Sequence, residues 1–371
     1  MKSSSGQHYV GLDHVRAFAA FMVFSWHFMH TPNGFPVSLA GAPAIFPLAI
    51  FDEGHTGVAL FMTLSGYLFA KLMDGKAISY APFFWNRFIR LFPLFFVVLV
   101  IVGIRSVAAG QSVEAYLAML GWGLIRPTLP NGGWSLTVEM HFYAVLPLLL
   151  ALCRRNIGYL ALVLAACILM RIALFHEQGR IQFLAYWTII GHIDQFILGI
   201  IGFNCRSWLR GRTMLAVAIF LGFTAFWWGF DMLGGFYNVG GKLPDEMPWI
   251  FIPTIEGAAF AALIAYYDAS FTFEDRGFSG FVALIGKYSY SIYLLHFFVV
   301  FELSAYIHAH ILSLDNFYVA LIVSLFAFLL MLPLGHLSFK CIEEPFLSYR
   351  RPYTRARHED RAAPAMISRR G

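Results

Sequence analysis

Residues 11–28 read GLDHVRAFAAFMVFSWHF, an apolar run broken chiefly by Asp13, His14, Arg16 and His27. Its length and composition predict a membrane-spanning helix. At 100° per residue, the eleven steps from Arg16 to His27 return to within roughly 20° of the starting direction, so both occupy one helix face. At 1.5 Å per residue they stand ~16 Å apart along the axis. Ionisable groups sharing one face of a span are costly unless they face a polar interior, which marks the pair as a functional-site candidate.

The rest of the chain extends that reading. Of 371 residues, 59% are hydrophobic and only 13% charged, with 39 Phe, whereas a soluble domain carries about 25% charged residues. The composition predicts an all-α, polytopic integral membrane bundle in the lipid bilayer. Apolar runs of spanning length fall at 12–30, 55–73, 91–109, 135–153, 157–175, 183–203, 213–230, 249–267, 284–307 and 316–341, which gives about ten transmembrane helices. A weaker stretch at 113–125 reads as an interfacial or re-entrant helix. No cleavable leader is evident, and the first run is expected to stay as an anchor.

Lys and Arg set the orientation. With the N-terminus inside, nineteen fall on inner segments and five on outer ones, the latter including Arg171. Both termini are therefore expected in the cytoplasm. Residues 1–349 form the transmembrane domain, and 350–371 form a basic tail, expected to be disordered on anionic headgroups. Nucleic-acid binding has no other support. Cys153, Cys167, Cys205 and Cys341 lack metal or redox spacing and read as reduced packing residues.

The polar residues then sort by depth. Arg16, Arg87 and Arg90 lie at inner ends of spans, while His27, His55, Glu139 and His141 lie toward outer ends. His192, Asp194, Glu256 and His296 fall near helix centres. A cationic inner mouth leading to a His- and carboxylate-rich half suits an anionic ligand and acid–base chemistry. Arg87 and Arg90, three apart in FFWNRFIRLFP, share a face and read either as snorkelling anchors or as phosphate-binding forks. Ser65-Gly66 permits close helix approach or supplies a hydroxyl. Glu139 and Tyr143 share a face and His141 does not. A carboxylate there needs a partner, and a purely structural pair is one reading of it.

Together these motifs resemble the membrane acyltransferase-3 family, whose members O-acetylate bacterial surface polysaccharides and some small molecules. Gly11-Leu12-Asp13 with Arg16 and His27 is similar to its first-helix signature, and Gly57-Val58 through Ser65-Gly66-Tyr67-Leu68 to its Ser-Gly motif. Arg87-Phe88-Ile89-Arg90 with Pro93 resembles its Arg-x-x-Arg motif. Trp134-Ser135-Leu136, Glu139, Phe142-Tyr143 and Pro147 resemble its fourth-helix run. Gly286, Tyr288-Ser289, Tyr293-Leu294, His296 and the closing Glu344-Pro345 complete the set.

The resemblance implies an acetyl-CoA-dependent O-acyltransferase of the bacterial inner membrane that needs no metal. Arg87 and Arg90, aided by Arg16, would grip the donor phosphates. His27 would act as general base or transient acyl carrier, Ser65 as oxyanion donor and Glu139 as the carboxylate near His27. The acceptor would be a hydroxyl of a cell-surface or lipid-linked carbohydrate. Many relatives carry Asp where this chain has Ala59, so Glu139, Asp52 or Glu53 would substitute. Some relatives append a periplasmic transferase domain. Nothing of that size follows the last run here, so the protein is expected to act alone or with a separate periplasmic transferase. The rival class is a proton-coupled transporter, with His27, Glu139, Asp194 and Glu256 as a relay.

Overall fold

The computed structural model describes residues 8–31 and 33–356, and the remainder of the basic tail lies outside the described residues. Helices follow the apolar runs. The first part comprises α1 (Val10–Met29), α2 (Ala49–Asp52), α3 (Gly57–Leu72), α4 (Tyr80–Ala108) and α5 (Val113–Trp122). The middle holds α6 (Trp134–Arg155), α7 (Gly158–Gln178), α8 (Gln182–Trp187), α9 (Ile189–Leu209) and α10 (Thr213–Met232). The last part holds α11 (Ile252–Ser270), α12 (Gly277–Leu295), α13 (Val300–His310), α14 (Phe317–Ser338) and α15 (Glu344–Leu347). Two short strands, β1 (Lys76–Ile78) and β2 (Thr354–Ala356), pair antiparallel.

Six helical stretches are long and apolar enough to cross a membrane: Tyr80–Ala108, Trp134–Arg155, Gly158–Gln178, Thr213–Met232, Gly277–Phe298 and Phe317–Leu347. The other four expected runs also form helices, α1, α3, α9 and α11, and these are shorter or more polar. They are the helices packed into the middle. α3 buries most of its length, whereas α7 buries only Leu160 and Arg171. Polarity is tolerated where protein, rather than lipid, surrounds the helix.

Glycine sets two of the central crossings. A Cβ at Gly66 would overlap the Phe196 carbonyl of α9, and one at Gly286 would overlap the Asp13 carbonyl of α1. Both backbones approach as closely as small residues allow.

Three expectations change. The run at 284–307 is not one helix: a 3₁₀ turn, His296–Phe298, separates α12 from α13. The run at 183–203 breaks at Thr188 between α8 and α9. The basic tail does not leave the fold at 350, because Tyr353 is buried and Thr354–Ala356 pairs with Lys76–Ile78. The 113–125 stretch forms the ten-residue α5, its first turn capped by Ser112.

Candidate functional site

The Arg-x-x-Arg segment builds one wall. Phe84, Phe88, Phe92 and Phe96 recur every four residues and face outward, with Phe88 and Phe92 stacked at 4.6 Å. That stripe turns Arg87 and Arg90 inward. The Arg87 guanidinium lies over the Phe69 ring of α3 at 5.0 Å, a cation–π contact that holds it without consuming its donors. Its Nε is buried with no hydrogen-bond partner. Across from it on α6, the Tyr143 hydroxyl donates to Glu139, and both stand beside Arg87. His141 faces away and meets the Leu124 carbonyl at 3.0 Å, as the helix spacing requires.

These walls enclose a cavity of ≈ 160 Å³. Arg16, Ser65, Arg87, Arg90 and Glu139 all line it, so five of the six residues named from sequence converge there. Arg350 adds a fourth guanidinium, while Asp13 and Glu139 are the lining carboxylates. Arg16 is paired with Asp13, one turn back on its own helix. Burial, then the charges of Arg90 and Arg87, push the Arg350 guanidinium down to about 10. A cavity of this size accepts a group about as large as benzene.

His27 does not line the cavity. Its position follows the helix geometry, ~16 Å along α1 from Arg16. Phe61 and Tyr293, both cavity residues, face one another with ring centres 6.1 Å apart. Behind Tyr293 comes His296, whose Nε2 lies 3.4 Å from His27 Nδ1. The His27 Nδ1 also lies 2.9 Å from the Val23 carbonyl. Since a carbonyl only accepts, the neutral ring carries its proton on Nδ1 and its lone pair on Nε2. His296 Nδ1 likewise donates to the Tyr293 carbonyl at 2.7 Å.

The proposed substitutes for an Asp at Ala59 are engaged elsewhere. Asp52 meets His30 Nε2 at 3.0 Å and Glu53 meets His55 Nε2 at 2.8 Å. Glu139 belongs to the arginine cavity rather than to His27. Glu256 accepts from Thr56 at 2.7 Å and from Gln195 at 2.9 Å. Arg171, expected in an outer segment, is fully buried and bidentate on Asp194 at 2.6 and 3.1 Å. His192 meets Gln195 Oε1 at 2.6 Å, so it joins the Glu256 network and not its neighbour Asp194. His27, Glu139, Asp194 and Glu256 thus fall in separate networks rather than one relay. Among the described residues, no group of three or more His, Cys, Asp or Glu side chains is placed to hold a metal ion.

Sequence reading missed Tyr9, Tyr290, Arg350 and Tyr353 in the cavity wall. Arg350 sits among many tail arginines with nothing local to distinguish it. Tyr353, an aromatic in an otherwise charged stretch, is the signal that this stretch docks.

Comparison with known proteins agrees with the motifs. The acyltransferase-3 family model, described as an acyltransferase domain, matches residues 9–336. The chain is 24% identical over 319 residues to acyltransferase MdmB of Streptomyces mycarofaciens, covering 77% of each protein. It is 30% identical over 268 residues to exopolysaccharide production protein ExoZ of Rhizobium meliloti, covering 67% of this chain and 78% of that one. To nodulation protein 10 of Rhizobium leguminosarum it is 30% identical over 194 residues, spanning 44% of this chain and half the length of that relative. No solved structure matches. From its first described helix to the end of its last long one, the chain belongs to the acyltransferase-3 family of membrane acyltransferases.

Proposed function

We propose that this protein is a ten-span inner-membrane O-acyltransferase, both termini cytoplasmic, that moves an acetyl or similar small acyl group from cytoplasmic acyl-CoA to a carbohydrate hydroxyl. The observation that carries the reading is the convergence of Arg16, Arg87, Arg90 and Arg350 on one cavity with Ser65 in its wall. Guanidiniums in a partly desolvated wall suit phosphate, which they bind by paired charge-assisted hydrogen bonds. A cavity of ≈ 160 Å³ is too small for a whole nucleotide thioester. The nucleotide would stay at the arginine end and the arm would thread inward, parting the Phe61 and Tyr293 rings to reach His27.

The chemistry then follows from the tautomer. The acceptor hydroxyl oxygen attacks the thioester carbonyl carbon while its proton passes to the His27 Nε2 lone pair. The C–S bond breaks, and the proton passes on to the departing thiolate. In the carrier variant, the Nε2 lone pair attacks the thioester carbon and the C–S bond breaks, the thiolate taking the Nδ1 proton. The acceptor hydroxyl then attacks the acyl carbon, the C–N bond breaks and the hydroxyl proton returns to the ring. Ser65 lines the arginine end of the path, with the Phe61–Tyr293 pair between it and His27, so it would donate to the threaded donor arm rather than to the oxyanion expected from sequence. Glu139, with Tyr143, would hold Arg87 in register for the donor, which differs from the role of poising His27 expected from sequence. ExoZ is named for exopolysaccharide production, and peptidoglycan O-acetyltransferase OatA of Listeria monocytogenes is 27% identical over 119 residues. Both names favour a polymeric or lipid-linked sugar as acceptor. A separate periplasmic transferase would relay the group where the acceptor lies beyond reach.

Two measurements test this. Acetyl-CoA should raise the melting temperature of the detergent-solubilised protein. Surface glycans of a deletion strain should lack one acyl mass increment that the complemented strain restores. His27→Ala, expressed to normal levels, should lose acylation by at least about a hundredfold; normal product from that variant would sink the mechanism.

A further inference from the structure

The segment after α15 is anchored to the first turns of α4 by its backbone. Trp85 Nε1 donates to the Tyr349 carbonyl at 3.0 Å. Asn86 holds Arg351 from both sides, its Nδ2 donating to the Arg351 carbonyl at 2.7 Å and its Oδ1 accepting from the Arg351 amide at 2.9 Å. The Ser79 amide donates to the Tyr353 carbonyl at 2.8 Å, and the buried Tyr353 ring stands 5.7 Å from Phe83. The β1–β2 pairing closes the series. Between these anchors the Arg350 side chain enters the cavity wall with Arg87 and Arg90. Residue 350 lies beyond the part of the chain that the family model matches.

We propose that Arg350 is a separate phosphate subsite of the donor cavity, one that takes the ribose 3′-phosphate of an acyl-CoA. The assignment rests on the acyl-CoA reading above. Arg87 and Arg90, one turn apart on one helix, are spaced for the two phosphates of a diphosphate. The anchors of the 349–353 segment fall at Ser79, Trp85 and Asn86, all N-terminal to Arg87, and this is the end at which the adenosine of an inward-threaded donor remains. The lining carries four guanidiniums against two carboxylates, a balance that suits three phosphates better than two. Docking by side chains and paired backbone fixes the main chain on both sides of Arg350 before any ligand arrives, which lowers the ordering cost of binding.

The test compares acetyl-CoA with acetyl-3′-dephospho-CoA by calorimetry on the full-length protein in detergent. Wild type should bind acetyl-CoA about tenfold more tightly, the scale of one charged hydrogen-bonding partner. Arg350→Gln should bind the two equally, at the wild-type level for the dephospho form. Arg350→Lys should keep part of the preference, and Arg351→Gln, on the exposed neighbour, should keep all of it. The melting temperature of each variant without ligand shows that it is folded. A preference retained in Arg350→Gln, or a wild type that binds both donors equally, overturns this subsite alone. A wild type that binds neither overturns the acyl-CoA reading and the subsite with it.

Discussion

Two regions of the bundle concentrate ionisable side chains, and they differ in what those side chains still have to give. Around α2, the start of α3 and the faces of α9 and α11, bases and acids sit in contact, with only single atoms such as His55 Nδ1 and Asp231 Oδ2 left over. His30 is on Asp52, His55 on Glu53, Thr56 and Gln195 on Glu256, and Arg171 on Asp194. The cavity bordered by Asp52, Glu53 and Asp231 measures only ≈ 10 Å³, about one water. Around α4 and α6 the guanidiniums outnumber the carboxylates and border ≈ 160 Å³. Buried charge alone therefore does not mark a site. Charge of one sign facing open volume does, whereas opposite charges in contact mark architecture.

Substitutions should sort accordingly. The largest effect is expected for Arg171→Ala, which leaves Asp194 buried and uncompensated. We expect a loss of about 3–5 kcal/mol, read as a lower melting temperature and poor recovery from the membrane. Arg171→Met combined with Asp194→Leu should cost less than the single change, since no orphan charge remains. If Arg171→Ala instead kept its stability and lost donor affinity, the contrast between the regions would break.

Arg90→Gln comes next and should do the reverse. Loss of one phosphate partner is expected to raise the KM for acyl-CoA about tenfold, with a smaller fall in melting temperature than Arg171→Ala. Steady-state kinetics and thermal melting of the same preparation check both halves of that statement.

The smallest effect is expected at Glu53. Burial, with Asp231 and Asp52 nearby, holds its carboxyl well above the usual carboxylate range. The neutral acid is therefore the form the fold prefers, and Glu53→Gln keeps its shape. The amide oxygen can accept from the Phe236 amide and its NH₂ can donate to His55, where Glu53 now makes contacts at 3.1 and 2.8 Å. Below the unfolded carboxylate range, where both states carry the proton, the change should stay within about 0.5 kcal/mol. A raised folded value gives stability that is complete below the unfolded value and fades as pH rises through the folded one. Wild type should thus lose stability toward alkaline pH faster than Glu53→Gln, and parallel melting curves would refute that.

Much of this was legible in the residues. Apolar runs located the helices because lipid demands continuous hydrophobicity. The Arg16–His27 spacing and the Arg87–Arg90 pair were legible because helix periodicity is rigid. The breaks at Thr188 and His296–Phe298 were not, since hydrophobicity continues across both and only tertiary packing decides them. Arg171 misled because its span is otherwise apolar and its partner lies 23 residues on, in another helix. Arg350 stayed hidden because a basic tail and a docked segment share a composition until long-range pairing with Lys76–Ile78 distinguishes them.

That pairing bears on how the protein is made. Tyr9 and Arg16 come from the first described helix and its lead-in, while Arg350 and Tyr353 come from the last described stretch, yet all four border one cavity. During synthesis the wall stays open until α14 has been inserted and the segment behind it has folded back onto α4. A chain still emerging from the ribosome has helices but no closed arginine-lined chamber. Assembly itself sets the moment at which that chamber exists.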